Sequence, residues 1–220
     1  MSQPFDAATA RDWDARPISR QLAALADRLL PALPLARSDH VLDFGAGTGL
    51  LATRIAPRVA RVTALDTSAA MLQTLAAKGH PNITCLCREV RTRADLPAPL
   101  DAIVSCMALH HVADIAALLH AFAAALRPGG HLALIDLCAE DGSFHGDAAA
   151  NAAKGVRHHG FDLAALHSLA TRAGLDAIGL EEVAHLHKPP SPNPSAPNAP
   201  ACAPHAPRSY PLFLLTARKP

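Results

Sequence analysis

A glycine-rich turn between an apolar strand and a helix constrains this chain more than any other feature. Residues 41–50 read Val-Leu-Asp-Phe-Gly-Ala-Gly-Thr-Gly-Leu. Glycine allows the tight or left-handed backbone of such a turn, and its missing side chain lets a ligand approach the main chain. The flanking apolar residues predict a buried strand before the turn and, after it, a helix over residues 50–56 that Pro57 ends. The pattern predicts a nucleotide-like ligand at the edge of an α/β sheet.

The spacing of the glycines indicates which kind of ligand the turn prefers. A dinucleotide-binding turn reads Gly-x-Gly-x-x-Gly, which lays the pyrophosphate on the N-terminus of the next helix. Here the spacing is Gly-x-Gly-x-Gly, and Asp43 stands two positions before Gly45. A carboxylate at that place repels a pyrophosphate and attracts a cationic amino-acid group. The turn therefore favours a ligand with an amino-acid moiety.

A second acid stands at the end of the next predicted strand. The run from Arg61 to Asp66 is short and apolar, and Asp66 lies twenty-one positions after Gly45. A helix is predicted directly after it, from Ala69 to Ala77. In Rossmann-like folds an acid at this place binds the hydroxyl groups of a ribose. Asp66 is therefore expected to bind a ribose.

With these landmarks the chain resembles the class I S-adenosylmethionine-dependent methyltransferases. It is most similar to their small single-domain type, related to the ubiquinone and menaquinone C-methyltransferases, and its landmarks run in order from about Val41 to Leu137. The resemblance implies a Rossmann-like, doubly wound α/β fold. Its seven-stranded, mostly parallel sheet would end in an antiparallel C-terminal hairpin. The implied cofactor is S-adenosylmethionine.

The resemblance also assigns parts of the cofactor to particular residues. The glycine turn and Asp43 would hold the methionine moiety, Asp66 would bind the ribose, and Met71 would pack against the adenine ring. Glu89 stands in Cys-Arg-Glu-Val where the family has the acid of Gly-Asp-Ala, so it would meet the adenine amino group. The residues implied to bind the cofactor are Asp43, Gly45, Ala46, Gly47, Asp66, Thr67, Met71, Glu89, Val90 and Cys106.

Histidines carry the remaining chemistry. His110 and His111 follow the fourth predicted strand, and His145 and the pair His158 and His159 come after the fifth. Loops that leave parallel strands meet at the carboxyl edge of the sheet, so we expect these imidazoles to converge beside the methyl donor. The candidate catalytic residues are His110, His111, His158 and His159.

Three roles for these histidines are open. One or two imidazoles can act as a general base that takes a proton from the methyl acceptor near neutral pH. A metal site is the second role, but the chain has no tight Cys/His or His-x-x-x-His spacing, and we predict no metal. Its ligands would come from His110, His145, His158, His159, Asp136 and Asp141. In the third role the histidines only shape a polar pocket.

Composition weighs against several classes of partner. The net charge is +1, the basic residues are scattered, and aromatic residues make up 4% of the chain, so we predict no nucleic-acid partner. Apolar stretches end well before the roughly eighteen residues of a membrane-spanning helix. The five cysteines are odd in number and lack Cys-x-x-Cys spacing, which predicts reduced thiols and a cytoplasmic protein. The sequence does not indicate an oligomeric state.

One domain is predicted over residues 1–220. Its parts are an N-terminal lid with a helix from Ile18 to Leu30 (residues 1–38), a core (39–188 and 209–220) and a proline-rich, disordered insertion (189–208).

The predicted function is methyl transfer from S-adenosylmethionine to carbon, oxygen or nitrogen of a small-molecule acceptor. Two alternatives stay open. A non-catalytic S-adenosylmethionine-binding partner subunit would keep the same turn. An NAD(P)-dependent oxidoreductase would share the sheet and Asp66, but the glycine spacing and Asp43 disfavour it.

Overall fold

The structure, a computed structural model, describes residues 5–30, 33–97, 99–188 and 208–220. Its helices are α1 (Ala7–Asp12), α2 (Pro17–Leu29), α3 (Ala52–Ile55), α4 (Ala69–Ala76), α5 (Ile115–Ala125), α6 (Ala148–Ala153) and α7 (Leu163–Arg172). Its strands are β1 (His40–Phe44), β2 (Arg61–Asp66), β3 (Ile83–Cys87), β4 (Leu100–Cys106), β5 (Leu126–Leu137), β6 (Asp176–Lys188) and β7 (Arg208–Arg218).

The seven strands form one sheet in the order β3-β2-β1-β4-β5-β7-β6. Strand β1 lies parallel to β2 and β4, and the pairs β2 with β3 and β4 with β5 are parallel as well. Strand β7 is antiparallel to both β5 and β6. The predicted Rossmann-like, mostly parallel sheet with a C-terminal antiparallel hairpin is thus confirmed. The strand order reverses between β1 and β4, which is where open α/β sheets bind their ligands.

Alternate residues of β1 supply the two faces of the sheet. Leu42 and Phe44 pack on the side covered by α5 and α7, where the Phe44 and Phe122 rings meet edge to face with centroids 5.2 Å apart. Val41 points to the opposite side, into the cluster that includes Ile55 of α3. The whole of β1 is buried, as expected of a central strand covered on both faces. This burial holds the glycine turn at a fixed point of the edge.

The helix after the glycine turn is shorter than the sequence predicts. It begins at Ala52 rather than at residue 50, and Pro57 lies inside a 3-10 turn, Ala56–Arg58, instead of ending the α-helix. The backbone N–H of Ala52 donates to Asp43 Oδ2 at 2.9 Å, so the acid in front of the turn accepts from the first residue of α3. The predicted helix from Ile18 to Leu30 is observed as Pro17–Leu29, with the proline in the first turn.

The N-terminal segment folds back over the glycine turn and α4. Ser68, the N-cap of α4, donates from its hydroxyl to the carbonyl oxygen of Phe5 at 2.6 Å. Asp14 accepts hydrogen bonds from Thr48 at 2.5 Å and from Lys78 at 2.7 Å. Helix α1 also packs on α4. The lid role predicted for residues 1–38 stays a prediction.

The proline-rich insertion predicted at residues 189–208 lies outside the described residues, apart from Arg208, which begins β7. The two strands that flank it are paired, with Lys188 opposite Arg208. In the part of the chain that the structure describes, no helix is long and apolar enough to cross a membrane.

A matched pair of glycines tests the packing of the loop that follows β5. Gly160 and Gly79 both have φ of +72°. A Cβ at Gly160 would lie 2.0 Å from the carbonyl oxygen of Cys138, whereas one at Gly79 would meet nothing within 4 Å. Gly79→Ala should lower the free energy of unfolding by about 1 kcal/mol because of the backbone conformation alone. Gly160→Ala should lower the free energy of unfolding by about 1–3 kcal/mol more, because the rigid main chain at Cys138 must move.

Chemical denaturation of the two variants and the wild type measures this difference. Equal losses in Gly160→Ala and Gly79→Ala would show that residues 159–161 do not pack against the end of β5 as described.

Candidate functional site

The glycine turn is held against the end of β2. The backbone N–H groups of Gly45 and Ala46 donate to the carbonyl oxygen of Leu65 at 2.8 and 3.0 Å. Gly45 and Gly47 have φ of +69° and +54°, a region that other residues rarely adopt. A Cβ at Gly45 would lie 2.2 Å from the Cβ of Ala108, so the segment after β4 passes directly over the turn. Space remains open at Gly47, where a Cβ would meet nothing within 4 Å.

Asp66 connects the glycine turn to the start of α4. Its Oδ2 accepts from the backbone N–H of Gly47 at 2.7 Å, and its Oδ1 accepts from Ser68 N–H at 2.8 Å. Burial raises the pKa of the carboxyl group, and these hydrogen bonds act in the opposite direction. Each carboxylate oxygen still has a second lone pair for a ligand hydroxyl.

Asp43 is the more deeply buried of the two acids. Its side chain accepts from Ala52 N–H, and burial, with a smaller effect from the charge of Asp66, raises its pKa to about 7. A cationic ligand beside this group favours the carboxylate form, because opposite charges attract strongly at a water-poor site. Asp43 is thus placed to respond to an ammonium or sulfonium group.

Four other residues predicted to bind the cofactor lie in different settings. Met71 is buried in the first turn of α4, and Val90 is half-buried against the core. Thr67 is exposed between β2 and α4. Glu89 is exposed as well, and its Oε2 accepts two hydrogen bonds from the Arg91 guanidinium at 2.7 and 2.9 Å. The structure therefore places Glu89 in a surface ion pair.

The chain leaves β4 at Cys106, and the next residue, Met107, has a strained backbone. Burial raises the pKa of Cys106, and the charges of Asp136 and Asp43 add to the effect, so its thiol stays protonated between the two acids. Met107 follows with φ of +59°, while its N–H donates to the carbonyl oxygen of Ile135 at 2.9 Å. Strained backbone of this kind persists where surrounding contacts fix it, and it is common at ligand sites. The backbone conformation of Met107 directs the following residues across the glycine turn.

Those next residues bring a histidine onto a buried acid. His110 and Asp136 are both almost fully buried. The Nδ1 of His110 lies 2.7 Å from Asp136 Oδ1, and the backbone N–H of His110 donates to Asp136 Oδ2 at 3.2 Å. A carboxylate only accepts, so Nδ1 carries the proton and Nε2 of His110 points away from Asp136. Asp136 stands at the carboxyl end of β5, the same sheet edge as Asp66.

Two further histidines complete a histidine cluster, which we define as His110, His111 and His145. The Nε2 atoms of His145 and His110 are 3.0 Å apart, and the ring centroids of His110 and His111 are 4.2 Å apart. Burial lowers the pKa of His111 to about 4, with a further contribution from His110. Burial also strongly lowers the pKa of His145, and neighbouring positive charges add to the effect. Both imidazoles are therefore neutral near neutral pH.

The predicted catalytic residues divide into two groups. His110 and His111 lie together, and His145 joins them, as expected from the loops that carry them. His158 instead uses Nε2 to bond the carbonyl oxygen of Val112 at 2.9 Å, and His159 lies at the surface with Nδ1 3.7 Å from Glu140 Oε1. The structure does not bring these two rings into the cluster. The predicted catalytic set does not include His145 or Asp136, although one follows β5 and the other lies at its carboxyl end, where ligands of open α/β sheets bind.

The N-terminal segment joins the two halves of the site. The Phe5 ring meets the His111 ring edge to face at a centroid distance of 5.6 Å, and Phe5 is also bonded to Ser68 beside Asp66. Trp13 contacts Phe5 at 5.6 Å. One short segment therefore covers both the glycine turn side and the histidine cluster.

The fold and this site define a class of protein. A sheet of this order, a Gly-x-Gly-x-Gly turn after β1 and an acid at the end of β2 are the features of an S-adenosylmethionine-dependent methyltransferase. Residues 15–180 match the family model described as a methyltransferase domain, and the chain belongs to that family. S-adenosylmethionine is the cofactor of the class.

Curated relatives match part of the chain. An uncharacterized methyltransferase of Mycobacterium tuberculosis is 40% identical over 111 residues, which are 50% of this chain and 56% of the relative. A ubiquinone biosynthesis O-methyltransferase of Xylella fastidiosa is 35% identical over 136 residues, 58% of this chain and 55% of the relative. The chain thus spans about half the length of the curated relatives it matches.

Solved structures share the fold over most of the chain. One chain, solved in a complex with the Haloferax volcanii Trm112 methyltransferase activator, has a TM-score of 0.73 at 20% identity and covers 100% of this chain and 99% of its own. An S-adenosylmethionine-dependent methyltransferase of Mesorhizobium loti has a TM-score of 0.64 at 25% identity, covering 87% and 96%.

Asp66 and Glu89 give contrasting predictions for cofactor affinity. Asp66→Asn should weaken binding of S-adenosylhomocysteine by about 2–3 kcal/mol, because charge-assisted hydrogen bonds to the ribose are lost. Glu89→Gln tests the adenine assignment. The Glu89 carboxylate is already paired with Arg91 at the surface. We therefore expect the affinity of Glu89→Gln for S-adenosylhomocysteine to stay within about twofold of that of the wild type. Calorimetry with both variants measures the difference, and an unchanged affinity in folded Asp66→Asn would contradict the ribose assignment.

Asp43 should couple cofactor binding to pH. Below its pKa of about 7 the free protein holds a proton on Asp43. The ligand ammonium favours the carboxylate, so binding there releases that proton. Affinity for S-adenosylhomocysteine should therefore rise by up to about tenfold per pH unit from pH ~5.5 to ~7 and level off above. Asp43→Asn should remove this dependence. The same pH slope in both proteins would show that another group is responsible.

Proposed function

We propose that this protein transfers the methyl group of S-adenosylmethionine to a hydroxyl oxygen of a small molecule that binds beside the histidine cluster. The observation that carries the proposal is the close approach of Ala108 to Gly45, which sets the segment bearing His110 and His111 directly across the cofactor turn. A donor held by the turn would then face the three imidazoles.

The cluster suits an acceptor that loses a proton. Methyl transfer forms a bond from an acceptor lone pair to the methyl carbon while the carbon–sulfur bond breaks. The electron pair of that bond stays on sulfur, which changes from a sulfonium to a thioether, and the acceptor proton passes to solvent. Holding the two reactants in line and excluding water supplies much of the acceleration in such a displacement. Neutral imidazoles and a buried carboxylate behind them favour loss of the proton from an acceptor hydroxyl.

Oxygen is favoured over carbon and nitrogen for two reasons. The match to a ubiquinone biosynthesis O-methyltransferase supports a hydroxyl acceptor by analogy. The neutral imidazoles of His111 and His145 can also accept a hydrogen bond from an acceptor hydroxyl. The segment Phe5 to Trp13 would close over such a ligand, because it contacts both His111 and the N-terminus of α4.

A non-catalytic cofactor-binding subunit is the second candidate. It is motivated by the similarity to a chain solved in complex with a methyltransferase activator. The pairing of His110 with Asp136 at 2.7 Å favours catalysis, since a buried charged group is costly to keep without a role. An oxidoreductase is disfavoured because the chain belongs to the methyltransferase domain family.

Acceptor-dependent formation of S-adenosylhomocysteine tests the proposal. The protein should produce it with phenols, catechols or other hydroxyl compounds in an acceptor panel that also includes amines and carbon acids. His111→Ala and His145→Ala should lower turnover by about 100-fold with little change in cofactor affinity, and both leave the buried His110 and Asp136 pair intact. His120→Ala, an exposed change on α5, is the matched control and should keep full turnover.

Cofactor binding without turnover on any acceptor would contradict the enzymatic proposal. If activity then appeared only on addition of a copurifying second chain, the partner-subunit candidate would be favoured instead. Activity on amines alone would overturn the assignment to oxygen while leaving methyl transfer intact.

A further inference from the structure

The histidine cluster has the composition and dimensions of a metal site. One nitrogen from each of His110, His111 and His145 can be chosen so that all three lie within 4.8 Å of one another. Among the residues that the structure describes, this is the group of His, Cys, Asp and Glu side chains that meets this condition. Imidazole nitrogen is the commonest ligand for zinc and for neighbouring divalent transition ions.

The hydrogen bonds around the cluster leave two Nε2 lone pairs for an ion, and the proton of the third Nε2, on His145, is released when the ion binds. His110 directs Nδ1–H to Asp136, and His111 directs Nδ1 to the carbonyl oxygen of Gly155 at 3.3 Å. A carbonyl oxygen only accepts, so the His111 proton is on Nδ1 and its Nε2 is unprotonated. Both rings thus present Nε2 as a ligand atom. The Nε2 of His145 faces that of His110 at 3.0 Å.

The separation of the His110 and His145 nitrogens is close to that of two ligands of a tetrahedral ion. Zinc binds imidazole nitrogen at about 2.0–2.1 Å, which places two ligands of a tetrahedral site roughly 3.3 Å apart. A shift of a few tenths of an ångström in His145 would reach that value. His145 follows β5 in a loop held by the Lys154 ammonium, which donates to the His145 carbonyl oxygen at 2.7 Å.

Asp136 supplies the group that stands behind a metal-bound histidine. Ligating histidines commonly donate their other N–H to a carboxylate, which fixes the ring and makes the ligand nitrogen more basic. Asp136 does this for His110 at 2.7 Å, and its second oxygen accepts from the His110 backbone. Both residues are buried, so the arrangement is rigid.

We propose that His110, His111 and His145 bind one divalent transition-metal ion of the zinc type, with a fourth position open to the hydroxyl of the methyl acceptor. Three protein ligands and one open position are the arrangement of catalytic rather than structural zinc sites. The ion would lower the pKa of the bound hydroxyl, so that the acceptor reaches the methyl group as an oxyanion. The acceptor class is then a hydroxyl compound that can coordinate a metal. This catalytic role rests on the function proposed above, whereas metal binding itself does not.

Metal binding is measured on the full chain without an acceptor. The protein is stripped with a chelator, and Zn²⁺ is titrated by calorimetry while Co²⁺ is followed by its visible absorption. We expect one equivalent of either ion and the intense absorption of four-coordinate Co²⁺. His111→Ala and His145→Ala should each weaken binding by about 100-fold, and Asp136→Asn by about 10- to 100-fold. His120→Ala should bind as the wild type does, because its imidazole is exposed on α5.

Circular dichroism and S-adenosylhomocysteine binding show that each variant is folded. Saturable binding that is lost in the cluster variants and kept in His120→Ala supports the proposal. Absence of saturable binding to the wild type, or equal binding by His111→Ala and His145→Ala, overturns it. Methyl transfer at full rate by the chelator-treated protein would overturn the catalytic role and leave the proposed function standing. Failure to bind S-adenosylhomocysteine in all proteins would instead count against the proposed function.

Discussion

The hydrogen bonds of the Asp66 carboxylate are the interaction on which the rest of the site depends. One oxygen accepts a hydrogen bond from the N–H of Gly47 in the turn after β1, and the other accepts one from the N–H of Ser68 at the start of α4. The carboxyl ends of β1 and β2 are thereby joined, next to the gap between β1 and β4 where the strand order reverses. Gly45 then lies so close to Ala108 that no side chain fits between them, and the segment after β4 takes its course from the turn.

The path of the segment after β4 brings the histidine cluster together. Met107 adopts a left-handed backbone, and two residues of the following turn, His110 and His111, fall beside Asp136 at the end of β5. A buried carboxylate is stable there because the His110 ring and backbone both donate to it. In the proposed enzyme, β1 and β2 would carry the cofactor half of the site, and β4 and β5 the acceptor half. Phe5 touches both halves.

Sequence reasoning predicted the sheet and the cofactor turn because both are local. Strand, glycine turn and acid recur at fixed spacing, and the observed bounds of β2 are those predicted. The predicted start of α3 was wrong by two residues, because Leu50 and Leu51 belong to the turn. Contacts that sequence spacing does not encode determine which histidines join the cluster and which do not. His145 reaches His110 across thirty-five positions, while His159 is turned toward Glu140. Likewise, the pair of Glu89 with Arg91 is set by side-chain rotation and not by motif position.

In the proposed enzyme, the donor methyl group faces the histidine cluster across the carboxyl edge of the sheet. A crystal structure with bound S-adenosylhomocysteine tests it most directly. We expect the ribose hydroxyls on Asp66, the amino-acid moiety at Asp43 and the glycine turn, and the thioether sulfur directed at His110, His111 and His145. A ligand bound with its sulfur away from these imidazoles, or outside the glycine turn altogether, would contradict it.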